Sequence, residues 1–325
     1  MPFIDVHAHL IGTGPGTRET VDYPGAVKAA LAWMDRLNIV RTIVMPMPFG
    51  PSEGRRAFDI EAFAEALHAA PGRFAMMGGG GSLNITIHES QGANRMAADA
   101  EKRLRDRAER IIALGAVGFG EMSCEHLSFN SNHPYNAAPP DHPLFLLLAD
   151  IAAGKNLPID IHMEAVPADM AMPQAMRERS PNNPPTLRAN IEAFRRLLAH
   201  NRRARIVWAH AGMDSTGFRT PALCRALLGE NANLSMHLQV SRLIQSVNHP
   251  LDEAGKLRAE WHTLLTDFPD RFMIGSDAFY FTARVNRFLP PPTPDPRILL
   301  NQLESALARR VAFENAERVY NLPPI

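Results

Sequence analysis

Two histidines one residue apart, His7 and His9, end an apolar stretch near the start of the chain. Alternate side chains of a β-strand point to the same face, so a strand here would present both imidazoles together. Imidazole nitrogens are common ligands for zinc and other divalent metals. The pair therefore indicates half of a metal site, and the remaining ligands must come from other parts of the chain.

Other apolar stretches also end in residues that can bind a metal or carry a proton. These residues are Glu121, His162, His210, His237 and Asp277. A single histidine in such a position is more often structural, but an ordered set of coordinating residues favours a metal site. Imidazole nitrogens with carboxylate oxygens suit zinc, while manganese, iron and nickel stay open. For His237 we leave substrate contact and plain packing as equal alternatives.

Strands and helices must alternate to position these residues. Eight apolar stretches are predicted to be strands, over residues 3–9, 39–45, 74–77, 116–121, 158–162, 205–210, 233–237 and 271–277. Segments with helical spacing separate most of them. The alternation implies an α/β fold with a parallel sheet, and eight such units fit a closed (β/α)8 TIM barrel. A doubly wound open sheet would explain the alternation, but it would not explain why strand after predicted strand ends in a polar residue.

Length, charge and cysteine content set the broad class of the protein. A chain of 325 residues suits one barrel, so we predict a single domain over residues 1–325. The 34 basic and 34 acidic residues balance, which disfavours nucleic acid and membrane surfaces and favours a small-molecule substrate. No apolar run approaches the roughly 20 residues of a membrane span. The start of the chain shows no signal pattern and the two cysteines lie far apart, so we expect a cytoplasmic location.

The ordered motifs resemble those of the amidohydrolase superfamily. The motifs concerned are His7-Ala-His9, His162, His210 and Gly275-Ser-Asp277. Further segments are similar to the branch that contains aminocarboxymuconate-semialdehyde decarboxylase, namely Asp141-His-Pro-Leu-Phe145, Leu157-Pro-Ile159, Arg271-Phe-Met-Ile-Gly-Ser-Asp277 and Glu314-Asn-Ala-Glu-Arg-Val-Tyr320. The similarity runs from Val6 to Tyr320.

The resemblance implies a set of roles for these residues. One divalent metal would be held by His7, His9, His162 and Asp277. Asp277 would also take a proton from the water that the metal activates, and His210 would donate a second proton or stabilise an oxyanion. A metal with an open position lowers the pKa of water towards about 7, and a nearby carboxylate completes the proton path. Barrels of this kind often form dimers or larger homo-oligomers, which we also expect here.

Glu121 departs from the simplest single-metal pattern. In binuclear relatives a carboxylate on the fourth strand bridges two metals, and the histidines of strands five and six hold the second one. By this comparison, Glu121 and His210 would become ligands as well. A glutamate at this position can alternatively orient a ligand histidine.

Further along, His126 and His133 lie in a long segment after the fourth predicted strand, and we favour a surface position for both.

Three functions stay open at this point. The leading hypothesis is a metal-dependent hydrolase that attacks an amide, ester or lactone of a small organic molecule. The alternative is a non-oxidative decarboxylase of an aromatic or muconate-type acid, and the third is a non-catalytic barrel, which would predict a broken ligand set. A decarboxylase needs a basic residue to bind the substrate carboxylate. The arginines considered for that role are Arg18, Arg55, Arg56, Arg219 and Arg242.

Overall fold

The central sheet is parallel, and consecutive barrel strands lie side by side in it. The computed structural model describes residues 1–12, 21–54, 57–91, 98–240, 246–282 and 295–325. We number the barrel strands one to eight: Phe3–Ile11, Ile39–Val44, Phe74–Met76 with Gly78–Gly79, Phe119–His126, Pro158–Met163, Arg205–Ala211, Leu234–Leu238 and Phe272–Ile274. Shorter strands are Asn136–Ala137, Met170–Ala171, Thr186–Leu187 and Ala278–Phe281.

Strand three closes the sheet into a barrel. Its first part, Phe74–Met76, pairs with strand two, and its second part, Gly78–Gly79, pairs with strand four. Only Met77 separates the two parts, and the N–H of Met77 still donates to the carbonyl of Val44 at 2.9 Å. The two ends of the sheet are therefore joined, and the predicted (β/α)8 TIM barrel is confirmed.

Helices cover the outside of the barrel. The α-helices are Tyr23–Leu37, Ala64–His68, Leu83–Glu89, Ala98–Ala113, Pro143–Lys155, Gln174–Arg179, Ile191–His200, Pro221–Glu230, Ala259–Asp267, Arg297–Leu300, Ser305–Arg309 and Asn315–Tyr320. A π-helical turn, Arg310–Glu314, joins the last two, and 3-10 turns occupy Pro51–Glu53 and Ile60–Ala62. Within the described ranges, no helix combines the length and the apolar character needed to cross a membrane.

The first helix shows how the sequence builds this outer layer. Its buried face, which includes Ala26, Ala30 and Met34, follows the helical repeat and packs on the sheet. The Asp22 side chain accepts a hydrogen bond from the N–H of Gly25 at 2.9 Å and caps the first turn. Asn38, with a φ of 60°, ends the helix in the left-handed conformation and leads directly into strand two.

Strand four differs from its prediction. Glu121 was expected to be its last residue, but the observed strand Phe119–His126 continues five residues further and places Glu121 third. The extension pairs antiparallel with Asn136–Ala137, which supplies backbone partners to Glu125 and His126. The long segment after residue 123 is therefore partly strand.

Strand eight ends earlier than its prediction. It stops at Ile274, and Asp277 follows with a φ of 54° before Ala278–Phe281 pairs with strand one. Asp277 therefore lies in the short connection between two strands that both pair with strand one. This position brings it beside the histidines of strand one.

Candidate metal centre

The barrel brings the predicted ligands together at the C-terminal ends of its strands. Six residues come close together, with Glu121 inside the extended strand four and Asp277 just after strand eight: His7, His9, Glu121, His162, His210 and Asp277. The first five are at most 4% exposed, while the side chain of Asp277 keeps 20% of its surface accessible. The group therefore forms the floor of a site that Asp277 connects with the space above.

One group of ligand atoms surrounds the two histidines of strand one. The Nε2 atoms of His7 and His9 are 3.3 Å apart, and Oε2 of Glu121 lies 3.5 and 3.4 Å from them. Oδ1 of Asp277 lies 3.4 Å from Nε2 of His9 and 3.9 Å from Nε2 of His7. Four ligands at bonds of about 2.0–2.1 Å around a tetrahedral zinc would be about 3.3 Å apart. These separations fit one divalent metal.

A second group lies on the other oxygen of Glu121. Oε1 of Glu121 is 2.8 Å from Nδ1 of His162 and 3.1 Å from Nε2 of His210. Ligands at right angles around a metal with bonds of about 2.1 Å would be about 3.0 Å apart. The structure thus groups His162 with His210, and gives Glu121 as the third neighbour of the His7–His9 pair. The four-ligand set with His162 in place of Glu121 stays a prediction.

Carboxylates determine the charge of the site. Burial lowers the pKa of His9, but its bonds to Asp277 and Glu121 outweigh this and raise it to about 9. Burial raises the pKa of Glu121, yet the neighbouring imidazoles, His7 first among them, hold it well below its ordinary value. The pKa of His210 falls to about 3, mainly through burial, so its imidazole is neutral. Surroundings that favour protons on buried histidines also favour a divalent cation.

Hydrogen bonds hold the ligands in orientation. Nδ1 of His9 lies 3.0 Å from the carbonyl oxygen of Met45, which leaves Nε2 for the metal. The amide of Gln239 donates to Oδ2 of Asp277 at 3.1 Å, so Oδ1 faces the histidines. Beneath the site, Oδ1 of Asp5 accepts from the N–H of Ser276 at 2.9 Å and anchors the connection that carries Asp277.

His237 lies behind the candidate metal ligands. It is fully buried, and its ring centre is 4.8 Å from that of His7. Nε2 of His237 lies 3.4 Å from Oδ2 of Asp160, and neither residue lines the cavity above the site. Contact between His237 and substrate stays a prediction, and the observed packing connects it with His7 instead.

A cavity of about 760 Å³ opens above the metal ligands. Its floor includes His9, Glu121, His162 and Asp277. Apolar side chains form much of its wall, among them Met47, Phe49, Phe129, Met213 and Phe279. A volume of this order, with a few polar groups at one end, is typical of sites for small organic ligands.

Two residues of this wall, His126 and His133, were not predicted from the sequence to line a cavity. His126, the last residue of strand four, has its ring centre 4.4 Å from that of His162 and 4.8 Å from that of His133. Both histidines line the cavity, whereas we favoured a surface position for them. The extension of strand four, which pairs with Asn136–Ala137, carries His126 to the cavity wall.

Among the residues that the structure describes, Arg179 is the arginine that lines the cavity. Its guanidinium lies 5.7 Å from the ring centre of Phe129, and both side chains line the wall. Of the arginines proposed from sequence, Arg219 is buried against Trp208 outside the cavity lining. The others, Arg18, Arg55, Arg56 and Arg242, lie outside the described residues. No motif marked Arg179, because its place depends on how helix Gln174–Arg179 folds over the barrel.

Comparisons with solved structures agree with this fold. Similar structures include 4-oxalomesaconate hydratase from Rhodopseudomonas palustris, at 12% identity over 98% of this chain and 96% of that chain, with a TM-score of 0.55. They also include 2,6-dihydroxybenzoate decarboxylase in complex with 2,6-dihydroxybenzoate, at 13% identity over 99% of each chain with a TM-score of 0.53. A third is 2,6-dihydroxybenzoate decarboxylase from Rhizobium, at 12% identity over 99% of each chain with a TM-score of 0.51. At such identities the likeness concerns the fold alone.

Comparison with sequences gives the family. A search among curated proteins found no match. The amidohydrolase family model, in contrast, matches residues 4–322. This confirms the resemblance seen in the motifs. Because the match spans nearly the whole chain, the protein belongs to the amidohydrolase family of metal-dependent enzymes.

Proposed function

We propose that the protein is a metal-dependent hydrolase acting on an amide, ester or lactone of a small organic molecule. The observation that carries the proposal is the position of Glu121. Its Oε2 faces the histidines of strand one, while its Oε1 faces those of strands five and six. A carboxylate shared in this way would be able to contribute a ligand oxygen to each of two divalent metals. Zinc suits the donor set best, with manganese, iron and nickel as further candidates.

Bound divalent metals would lower the pKa of water to about 7 and polarise a carbonyl group. The first metal would be held by His7, His9, Glu121 and Asp277, and the second by Glu121, His162 and His210. Since Nε2 of His210 already faces Glu121 and its imidazole is neutral, the geometry supports a ligand role for it over proton donation.

Asp277 is the residue best placed to accept the proton of the attacking water. Burial raises the pKa of its carboxyl, but neighbouring histidines, His210 first, lower it to about 2, so it is ionised at neutral pH. It borders the cavity, and Gln239 holds one of its oxygens in place. Apolar side chains that include Phe49 and Phe279 line the cavity, and with a substrate bound they would limit the access of bulk water to its reacting end.

The test combines metal counting with a substrate panel. Metal-depleted protein is reconstituted with Zn²⁺ or Mn²⁺, the bound metal per chain is measured, and esters, lactones and amides are assayed. We expect two equivalents of metal and hydrolysis only after loading, and Asp277→Asn should lower kcat by about 10²–10⁴-fold. One equivalent at full activity would exclude the bridging role of Glu121. A fully loaded enzyme that hydrolyses none of the panel would overturn the proposed reaction.

Arg179 favours decarboxylation as a second candidate. A decarboxylase of an aromatic acid needs a cation for the substrate carboxylate and a flat apolar wall, and Arg179 beside Phe129 offers both. Proteins of similar fold include two 2,6-dihydroxybenzoate decarboxylase structures. Release of carbon dioxide from aromatic or muconate-type acids, without hydrolysis of esters or lactones, would replace the first proposal by this one.

A pair of variants sharpens this second candidate. Arg179→Ala should raise KM for an acid substrate by about tenfold or more, since a charge-assisted contact is lost. Arg177→Ala, an exposed residue of the same helix outside the cavity lining, serves as the control. Equal KM values for the two variants would remove the argument for a carboxylate at Arg179.

A further inference from the structure

Asp160 lies one layer below the metal ligands, between two histidines. It precedes His162 by two residues on strand five, so both side chains point into the barrel. Its side chain is fully buried. Oδ1 of Asp160 is 3.3 Å from Nδ1 of His7, and Oδ2 is 3.4 Å from Nε2 of His237. One carboxylate thus lies within ion-pair distance of two imidazoles, of which only His7 is a candidate metal ligand.

We propose that Asp160 and His237 are positioning residues that hold His7 in the tautomer and orientation needed to bind metal. The inference rests on the proposed function in taking His7 as a ligand, and its test also uses the proposed second metal at His162 and His210. A carboxylate beside Nδ1 keeps the hydrogen on that nitrogen, and the lone pair of Nε2 is then free. Nε2 is the atom of His7 that lies 3.3 Å from Nε2 of His9.

The hydrogen-bond directions in this layer agree with one another. The N–H of His210 donates to Nδ1 of His237 at 3.4 Å, so this nitrogen must be without a hydrogen. The neutral imidazole of His237 then carries its hydrogen on Nε2, which faces Asp160. Asp160 can therefore accept from His237 on one oxygen and from His7 on the other. The backbone N–H of His210 is connected in this way, through His237 and Asp160, with the ring of His7.

Gly275 supplies the space for this arrangement. A Cβ atom at Gly275 would lie 2.2 Å from Nδ1 of His237, closer than any stable contact. The Gly275-Ser-Asp277 motif thus has two roles, because Asp277 borders the metal centre while Gly275 leaves room for the supporting histidine. This gives an independent perturbation: Gly275→Ala should displace His237 without changing Asp160.

The experiment measures metal affinity rather than hydrolysis. Each variant of the full-length protein is titrated with Zn²⁺ against a chromophoric chelator, and bound metal is counted. In Asp160→Asn an amide would face one of the two imidazoles with its NH₂ group, which disturbs the tautomers. We expect Zn²⁺ affinity at the His7 group to fall about 10–100-fold, the usual effect of losing a carboxylate behind a ligand histidine. The ion on His162 and His210 should stay bound.

Glu125→Gln is the matched control, because it removes a buried carboxyl from the neighbouring strand and should leave Zn²⁺ affinity unchanged. His237→Gln and Gly275→Ala should each weaken Zn²⁺ binding several-fold, and they carry the test should Asp160→Asn not fold. Affinities within twofold of wild type in the folded variants would overturn the proposal and leave Asp160 a structural role. If the wild type bound a third equivalent of metal and Asp160→Asn lost it, Asp160 would be a ligand, and this would overturn the proposal too. A protein that binds zinc as described but hydrolyses nothing would refute the proposed reaction alone.

Discussion

Strand four carries two glutamates, Glu121 and Glu125, that are equally buried but have opposite electrostatic surroundings. Their exposed fractions are 3% and 4%. Burial raises the pKa of both carboxyls, since it penalises the charged form. The pKa of Glu121 nevertheless lies well below its ordinary value, whereas that of Glu125 rises to about 7. Four residues along one strand therefore separate a permanent anion from a carboxyl that is about half protonated at neutral pH.

The partners of each carboxyl explain the difference. Glu121 points at imidazoles, with Nδ1 of His162 at 2.8 Å and Nε2 of His210 at 3.1 Å. Glu125 instead has the negative charge of Glu164 nearby, and its bond to the Tyr135 hydroxyl offsets burial only in part. Burial alone thus does not make a metal site. The neighbouring histidines, which include His162 and His210, keep Glu121 charged and available to a cation.

Glu121→Gln should have the largest effect of the changes on this strand. It keeps the side-chain volume but removes the charge shared by both histidine groups, so we expect at least one metal equivalent to be lost. If Glu121 bridges two metals as proposed, its loss should reduce kcat/KM by about 10²-fold or more. Metal analysis and steady-state kinetics on reconstituted protein measure both. Glu125→Gln, four residues away, should keep full metal content and activity. If the two variants behaved alike, the contrast between the two ends of the strand would have no functional meaning.

The surroundings of Glu121, formed by the other candidate ligands, could be predicted from the sequence. Each ligand candidate lies at or near the end of an apolar stretch, and a barrel places such ends around one opening. His7 and His9 are two residues apart on a strand whose nine residues are all buried, so their common direction follows from strand geometry. The histidines of strands five and six obey the same rule, one strand each.

The surroundings of Glu125 could not be predicted from the sequence. The surroundings of Glu125 depend on the extension of strand four, which exists because Asn136–Ala137 returns to pair with it. That pairing closes a hairpin across a polar segment, and such a segment carries no periodic signal for it. The same return brings His126 into the cavity wall and leaves Glu121 inside the strand. Local pattern thus located the candidate ligands, while the wall around them depends on tertiary contacts.

Glu125→Gln should have an intermediate effect, visible in the pH dependence of stability. The folded-state pKa of Glu125, about 7, exceeds its ordinary value of 4.5, so the native state binds this proton more tightly than the unfolded state. The free energy of unfolding should therefore fall as pH rises from about 4.5 to about 7, by up to about 3 kcal/mol. Glutamine resembles the protonated form and lacks this loss.

Urea denaturation at pH 4.5, 6 and 8 measures this effect. The variant and the wild type should have similar stability at pH 4.5, and the variant should be the more stable protein at pH 8. An unchanged difference across the three pH values would show that Glu125 titrates normally, and the comparison with Glu121 would then rest on the histidines alone.

Glu164→Gln should have the smallest effect and tests the cause of the raised pKa. Burial contributes most to the pKa of Glu125, and the charge of Glu164 adds to it, so removing that charge should lower the pKa of Glu125 by less than about one unit. Glutamine keeps an oxygen that can accept from the N–H of Ser215, now at 3.2 Å from Oε2 of Glu164. Tyr135→Phe should shift the pKa the other way, because the hydroxyl bond lowers it. Carbon-13 NMR titration of the Glu125 carboxyl reads both shifts, and movement in one direction for both variants would contradict an electrostatic origin.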